Sequence, residues 1–224
     1  MEDRPLVALS DTHLTHQFLN PRKLRYLENI IRPAKRIVIV GDWWDSYRST
    51  FDQFVRSPWN ALFPLLKQRE AIYLYGNHDP EEAGDERVNL FSIRQGWEID
   101  LRFGSFDLHF EHGHRIAPDP IARKYPWVLG LPGIGHFEYL FTEIIPTSLF
   151  GDRWLNYRGK PAAEQLRARA AEIAKSGRWL VCGHSHIAEL DPEIKYANCG
   201  FIGLGRAQYL EIKKYSIGVI KAAY

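Results

Sequence analysis

Three short runs rich in Val, Ile and Leu, spanning Leu6 to Leu9, Arg36 to Val40 and Ala71 to Tyr75, each lead straight into a small cluster of Asp, His, Asn and Gly residues. Apolar runs of this length without polar alternation suit strands buried on both faces, as in sheets covered by helices. Helix starts lie between them. Asn20-Pro21 precedes Leu24, Leu27 and Ile31, and Ser57-Pro58 precedes Trp59, Leu62 and Leu66, all near helical spacing. The resulting β-α-β-α-β order places each polar cluster at the C-terminal end of a strand, where open α/β sheets build ligand sites.

The pattern continues along the chain. Glu98 to Phe103 and Phe106 to Phe110 flank Gly104-Ser105, a two-residue turn whose leading glycine suits a type II′ hairpin. Pro161 to Lys175 reads as an amphipathic helix closed by Gly177, followed by a buried strand over Trp179 to Cys182. Apolar stretches from Ala207 to Ile212 and Tyr215 to Ile220, joined by Lys213-Lys214, read as a closing hairpin.

With 224 residues, 45% hydrophobic and 25% charged, the chain is expected to form one α/β domain over 1–224. A formal net charge of +2 arises from dispersed Lys and Arg, so nucleic acid is not an expected partner. Cys182 and Cys199 are too few for a disulfide framework and lack zinc-site spacing, which fits a reducing cytoplasm. The charged start Met1-Glu2-Asp3-Arg4-Pro5 does not read as a signal peptide, and no apolar run reaches spanning length. Membrane contact, if any, is expected to be peripheral, at the inner membrane surface.

Five motifs carry the chemistry: Asp11-Thr-His13, Gly41-Asp42-Trp43-Trp44-Asp45, Gly76-Asn77-His78-Asp79, His112-Gly113-His114 and Gly183-His184-Ser185-His186. Their carboxylates, imidazoles and one amide are oxygen and nitrogen donors suited to Mn²⁺, Fe or Zn²⁺, and no thiolate stands among them. One motif alone would be an ordinary capped loop; five in order are not.

In that order the chain resembles the calcineurin-like metallophosphoesterase superfamily, with its D-x-H, G-D-x-x-D, G-N-H-[DE], H-G and G-H-x-H blocks. The resemblance implies an α/β fold, a β-sandwich flanked by helices, around two divalent metal ions, with Mn²⁺ the first choice. It implies that Asp11, His13 and His186 hold one metal, that Asn77, His112 and His184 hold the other, and that Asp42 bridges them. His78 is then the general acid at the leaving-group oxygen, oriented by Asp45, with Asp79 a lesser supporting candidate. Two such ions would activate a bridging hydroxide and clamp the phosphoryl oxygens. His114 is expected to yield to His112 as ligand, and His16, His109 and His136 are read as ordinary histidines.

Residues 115–160 contain none of these motifs. They read as a helical insertion holding Tyr125, Trp127, Phe137, Tyr139, Phe141, Phe150, Trp154 and Tyr157, an aromatic density well above the 13% of the whole chain. Such an element either packs onto the body, forms a dimer face or acts as a lid. As a lid it would offer Arg115, Arg123, Trp127, Phe141 and Arg158 to the substrate. The layout resembles the superfamily branch that contains UDP-2,3-diacylglucosamine pyrophosphatase. A phosphorylated small-molecule or lipid-linked substrate follows, cleaved at a phosphodiester or pyrophosphate bond. The rivals are a generalist enzyme for small soluble esters, cyclic nucleotides included, and a catalytically silent metal-bound scaffold.

Overall fold

The computed structural model describes residues 4–17, 19–118 and 134–224. Arg123 and Trp127 lie outside the described residues. Two sheets carry the fold. The first has the order β10(Ile202–Gly203), β11(Arg206–Ile212), β1(Leu6–Leu9), β2(Arg36–Val40), β3(Ile72–Leu74), β4(Arg94–Gly96), with β12(Ile217–Ala223) also pairing β11. The second has the order β5(Glu98–Phe103), β6(Phe106–Glu111), β7(Trp179–Cys182), β9(Tyr196–Asn198), β8(Glu189–Asp191).

Strand alternation explains the layering. Leu6 and Ala8 on β1, and Val38 and Val40 on β2, face Ile99, Leu108, Phe110 and Val181 of the other sheet, forming a core between the sheets. Val7, Leu9, Ile37 and Ile39 point the other way, onto a second core with Leu27 and Ile31 of α1(Pro21–Ile31) and Phe54 of α2(Phe51–Arg56). A third core joins Leu166, Ala170 and Ile173 to Leu180, Cys182 and Tyr196. Helix, sheet, sheet and helix therefore stack around strands that are apolar on both faces, each such side chain contributing about 1.5–3 kcal/mol on burial. The expected flanked sandwich is present.

Three local readings change. The helix expected from Ser57-Pro58 is a 3₁₀ turn over Pro58–Leu62 and then α3(Phe63–Gln68), with Pro64, which has no N–H to donate to the preceding turn, in the first turn of α3. Ahead of it, α2 is set by a Thr50/Gln53 capping box. The largest change is at Pro161. The insertion runs through α4(Ile134–Tyr139), a π-turn over Leu140–Ile144 and α5(Ile145–Phe150) into one helix, α6(Asp152–Ala174), with Pro161 inside it.

An internal proline costs roughly 3 kcal/mol, so something must hold α6 together. Leu155, Ala163 and Leu166 are buried along it, and Gly159 lies against the backbone of Ser185, where a Cβ would collide with the Ser185 carbonyl. The end of the insertion and the body helix are thus one rod seated on the Gly183-His184-Ser185-His186 loop.

Candidate metal centre and active site

The five motifs follow β1, β2, β3, β6 and β7 directly, and their loops are laced together by backbone hydrogen bonds. Thr12 and His13 both donate to the Asp42 carbonyl at 2.9 and 3.0 Å, and Gly183 donates to the His112 carbonyl at 3.1 Å. The turns are strained. Asp11, His13, Asp42, His184 and His186 have φ values of 53, 47, 52, 67 and 58°. A left-handed backbone costs a non-glycine residue roughly 1–2 kcal/mol, and such strain concentrates at functional sites. Gly41, at φ 81°, packs against the His112 ring. Gly76 and Gly183 have no left-handed φ; they are small because the Asp42 carboxylate at the first, and the Ser10 hydroxyl with the Asp11 carboxylate at the second, fill the space of a Cβ.

Two poles result. At the first, Nε2 of His186 is 3.1 Å from Oδ1 of Asp11 and 3.4 Å from Nε2 of His13. At the second, Nε2 of His112 is 3.2 Å from Oδ2 of Asp42 and 3.3 Å from Oδ1 of Asn77. Oδ2 of Asp42 also lies 3.9 Å from Nε2 of His13, so one oxygen faces both poles. The His184 ring stands 5.2 Å from that of His112 and donates from Nε2 to the Ala117 carbonyl at 2.6 Å, which leaves Nδ1 with its lone pair.

Burial pushes the Asp11 and Asp42 carboxyls up, but the facing imidazoles outweigh it and hold both below the usual carboxylate range. Burial likewise opposes charge on His112, yet Asp42 and Asp11 raise it to about 10. Burial, then the neighbouring histidines, hold His13 well below its ordinary value and His184 down at about 4. The floor therefore combines anionic Asp11 and Asp42 with a charged His112 and neutral His13 and His184.

The sequence profile of the Calcineurin-like phosphoesterase family matches residues 4–188. The chain belongs to this family. It is a metal-dependent phosphoester hydrolase. No curated protein sequence matches it. Among solved structures it is similar to an archaeal phosphodiesterase, with 15% identity, TM-score 0.49 and coverage of 97% of this chain and 99% of that one. It is also similar to the phosphoesterase Yfce from E. coli, with 18% identity, TM-score 0.48 and 98% coverage of each chain. A third similar structure is Vacuolar Protein Sorting 29 from Cryptosporidium parvum, with 12% identity, TM-score 0.47 and coverage of 100% and 99%.

Divalent metals fit the phosphoesterase's donor set. Nδ1 of His112 is committed to donating to the Val40 carbonyl at 2.7 Å, so a neutral ring turns a lone pair toward the oxygens of Asp42 and Asn77. Three such donors converging this closely suit a divalent cation between them. Oδ1 of Asp11 and Nδ1 of His13 are also buried without a hydrogen bond. Groupings of Asp11 with His13 and His186, and of Asp11 with Asp42 and His112, place single donor atoms within 4.8 Å of one another.

His78 sits over the Asp42 carboxylate, its backbone N–H donating to Oδ1 at 2.9 Å, with its ring Nδ1 3.4 Å from Oδ1 of Asp45. Asp45 accepts from Arg48 Nε at 2.6 Å and from the Tyr47 backbone at 3.0 Å. Asp79 stands beneath the loops and accepts from the backbone N–H groups of Asp42, Trp43 and Gly76 at 2.9, 2.7 and 2.7 Å. Burial and the nearby Asp42 charge push its pKa up to about 7.

The expected substrate contacts divide. Arg158 lines the same cavity as His78, with its guanidinium ion-paired to Glu143. Phe141 is 61% exposed and lies outside the cavity wall. Arg115 points to a separate hollow, over the Trp97 ring at 5.7 Å, because His114 and Arg115 follow β6 onto the far side of His112. His114 stands 5.4 Å from the His112 ring and does not join the metal groupings. Cys182 and Cys199 are buried, and burial pushes both thiols up. Arg48, Tyr139 and Glu143 went unread as site residues. For Arg48 a signal existed, three residues after Asp45 in a single turn; Tyr139 was marked only as one of the insertion's aromatics, and Glu143 by nothing.

Proposed function

We propose that the protein hydrolyses a phosphodiester or pyrophosphate whose phosphorus is flanked by an apolar group, a lipid-linked nucleotide such as UDP-2,3-diacylglucosamine being the type. The observation behind this reading is the cavity of about 460 Å³ beside the metal ligands. Its floor is His13, Asp42, Asn77, His78, His184 and His186, whereas its wall includes Ala117, Pro118, Tyr139, Trp154, Leu155 and Pro161. Metal chemistry at the floor with an apolar wall supplied by the insertion suits a substrate that is anionic at one end and greasy at the other.

Asp11, His13 and His186 would hold one ion, Asn77, His112 and His184 the other, with Asp42 shared; the oxygen and nitrogen donors suit Mn²⁺, Fe or Zn²⁺, of which Mn²⁺ is the first choice. When bound, such ions supply Lewis acidity and an activated water. The chain's own residues do the rest. The apolar wall excludes solvent from the leaving group. His78, oriented by Asp45, is placed to donate a proton to the leaving oxygen, so that this oxygen departs as a neutral hydroxyl when its bond to phosphorus breaks. Asp45 is set for this: burial pushes its pKa up, but His78 and Arg48 outweigh that and keep it ionised.

The test is kcat/KM on UDP-2,3-diacylglucosamine and on its deacylated counterpart, with the Mn²⁺-loaded enzyme. A preference of about 10-fold or more for the acylated form is expected, since one buried chain segment contributes at least the roughly 1.5 kcal/mol of a single apolar side chain. Equal rates on both would replace this reading with a generalist for small soluble esters. Among the described residues no helix is long and apolar enough to cross a membrane, so an acylated substrate would be met at a surface.

A further inference from the structure

Besides the Ala117 carbonyl and Gly159, the insertion meets the active site at two points around its π-turn. Single π-turns inside helical segments recur at functional sites, because the extra residue rotates neighbouring side chains out of helical register. Here the turn over Leu140–Ile144 is bracketed by Tyr139 and contains Glu143. The Tyr139 ring lies under the Arg48 guanidinium, 3.9 Å from its carbon to the ring centroid. Glu143 is buried, pairs with Arg158, and brings Oε1 to 4.0 Å from Nδ1 of the metal-site residue His186.

Arg48 is the more consequential of these contacts. Its side chain is only 4% exposed, donates from Nε to Asp45 Oδ2 at 2.6 Å and from an Nη to the His13 carbonyl at 3.3 Å. Asp45 in turn faces the His78 ring with its other oxygen. A continuous line therefore runs from the insertion to the leaving-group end of the site: Tyr139 ring, Arg48 guanidinium, Asp45 carboxylate, His78 imidazole. Guanidinium is planar, so one cation can stack flat on an aromatic face and still aim its edge at a carboxylate. A lysine could not do both.

We infer that Arg48 is a positioning residue that makes proton donation by His78 conditional on the insertion being seated. With Tyr139 in place, Arg48 holds Asp45 in the orientation that fixes the His78 ring. With the insertion displaced, the guanidinium loses its stacking partner and gains water, and Asp45 loosens its hold on the ring. Leaving-group protonation is then tied to closure of the apolar wall over the substrate. This rests on the proposed role of His78 as the general acid.

Leaving-group dependence tests it, because a positioned acid matters only when the departing oxygen needs a proton. Two diesters are compared on the Mn²⁺-loaded enzyme, one with a 4-nitrophenolate and one with an alkoxide leaving group. Tyr139→Leu and Arg48→Lys should each lower kcat on the alkoxide ester by about 10-fold or more beyond any loss on the nitrophenyl ester, the usual cost of disturbing a residue that orients another. Tyr139→Phe, which keeps the ring face, should restore the alkoxide rate. The double variant Arg48→Lys/Tyr139→Leu should be no slower than Arg48→Lys alone. Equal losses on both esters together with an earlier melt, or additive losses in the double variant, would overturn the relay. His78→Ala separates the two layers. If His78→Ala is itself indifferent to the leaving group, the assignment of the acid fails; if it is sensitive while Tyr139→Leu is not, only the relay fails.

Discussion

Nε2 of His112 stands 3.2 Å from the Asp42 carboxylate while its other ring nitrogen is tied to the Val40 carbonyl at 2.7 Å. That arrangement leaves a cation as the natural mediator between imidazole and carboxylate. In a metal-free chain a proton plays the part, and this is why the pKa of His112 rises to about 10 against the effect of burial.

Replacing Asp42 by Asn therefore removes charge from both poles at once. Asp42→Asn is expected to weaken metal binding by about 100-fold and to abolish turnover at ordinary metal concentrations, since a neutral amide no longer offsets two divalent ions. Metal content by elemental analysis, alongside activity, decides it. Full loading with undiminished activity would remove Asp42 from the centre.

Asp79 has a different role, although it lies in the same motif as His78. It collects three backbone N–H groups from the Asp42 and Gly76 loops with both carboxylate oxygens, which an amide cannot reproduce. Asp79→Asn should destabilise the fold by roughly 1–3 kcal/mol, through at least one buried N–H left unpaired. Chemical denaturation reads this directly; an unchanged midpoint would show that the loops hold without it.

A pH-dependent contribution lies away from the centre, on the outer face of the β5–β6 hairpin. His109 is flanked by Asp100, at 2.7 Å from Nδ1, and by Glu111, at 3.6 Å from Nε2. The facing Glu111 carboxylate, then the hydrogen bond to Asp100, raises the His109 pKa against its burial. A histidine raised on folding contributes stability that is complete below its unfolded pKa of about 6.5 and is lost as pH climbs through the folded value. Glu111 and Asp100, whose pKa values are lowered, lose their share only as pH falls below the ordinary carboxylate range. The stability gap between wild type and His109→Gln should thus be widest near pH 5.5 to 6 and shrink by pH 9, roughly and in denaturant midpoints. A gap that does not vary with pH would mean that His109 acts by packing alone.

The outer surface of the insertion carries Phe137 and Phe141, 63% and 61% exposed. Side chains that exposed contribute little to packing, so Phe137→Ser/Phe141→Ser should leave the melting temperature unchanged. If acylated substrate is met at a bilayer, the variant should cosediment less with anionic vesicles, each lost aromatic removing up to about 2 kcal/mol of transfer energy. Identical vesicle binding would confine the apolar role of the insertion to the cavity wall.

The metal chemistry of this chain was legible from residue types because ligation allows so few of them. Asp, His and Asn in five ordered blocks, each directly behind a short apolar run, implied strand ends and a shared mouth, and a strand apolar on both faces requires layers on both sides. Local turn chemistry was equally plain at Asn20-Pro21 and Gly104-Ser105. What tertiary packing alone decided lies in the insertion. Pro161 looks like a helix start until Gly159 is pressed onto the Ser185 backbone and burial along α6 outweighs the broken hydrogen bond. Tyr139 and Arg48 are separated by 91 positions in the chain, and their stacking has no periodicity or motif to announce it. The same is true of Glu143 and His186. Ligands are written by chemistry, which acts residue by residue; the seating of one element on another is set by the balance of burial over the whole surface they share.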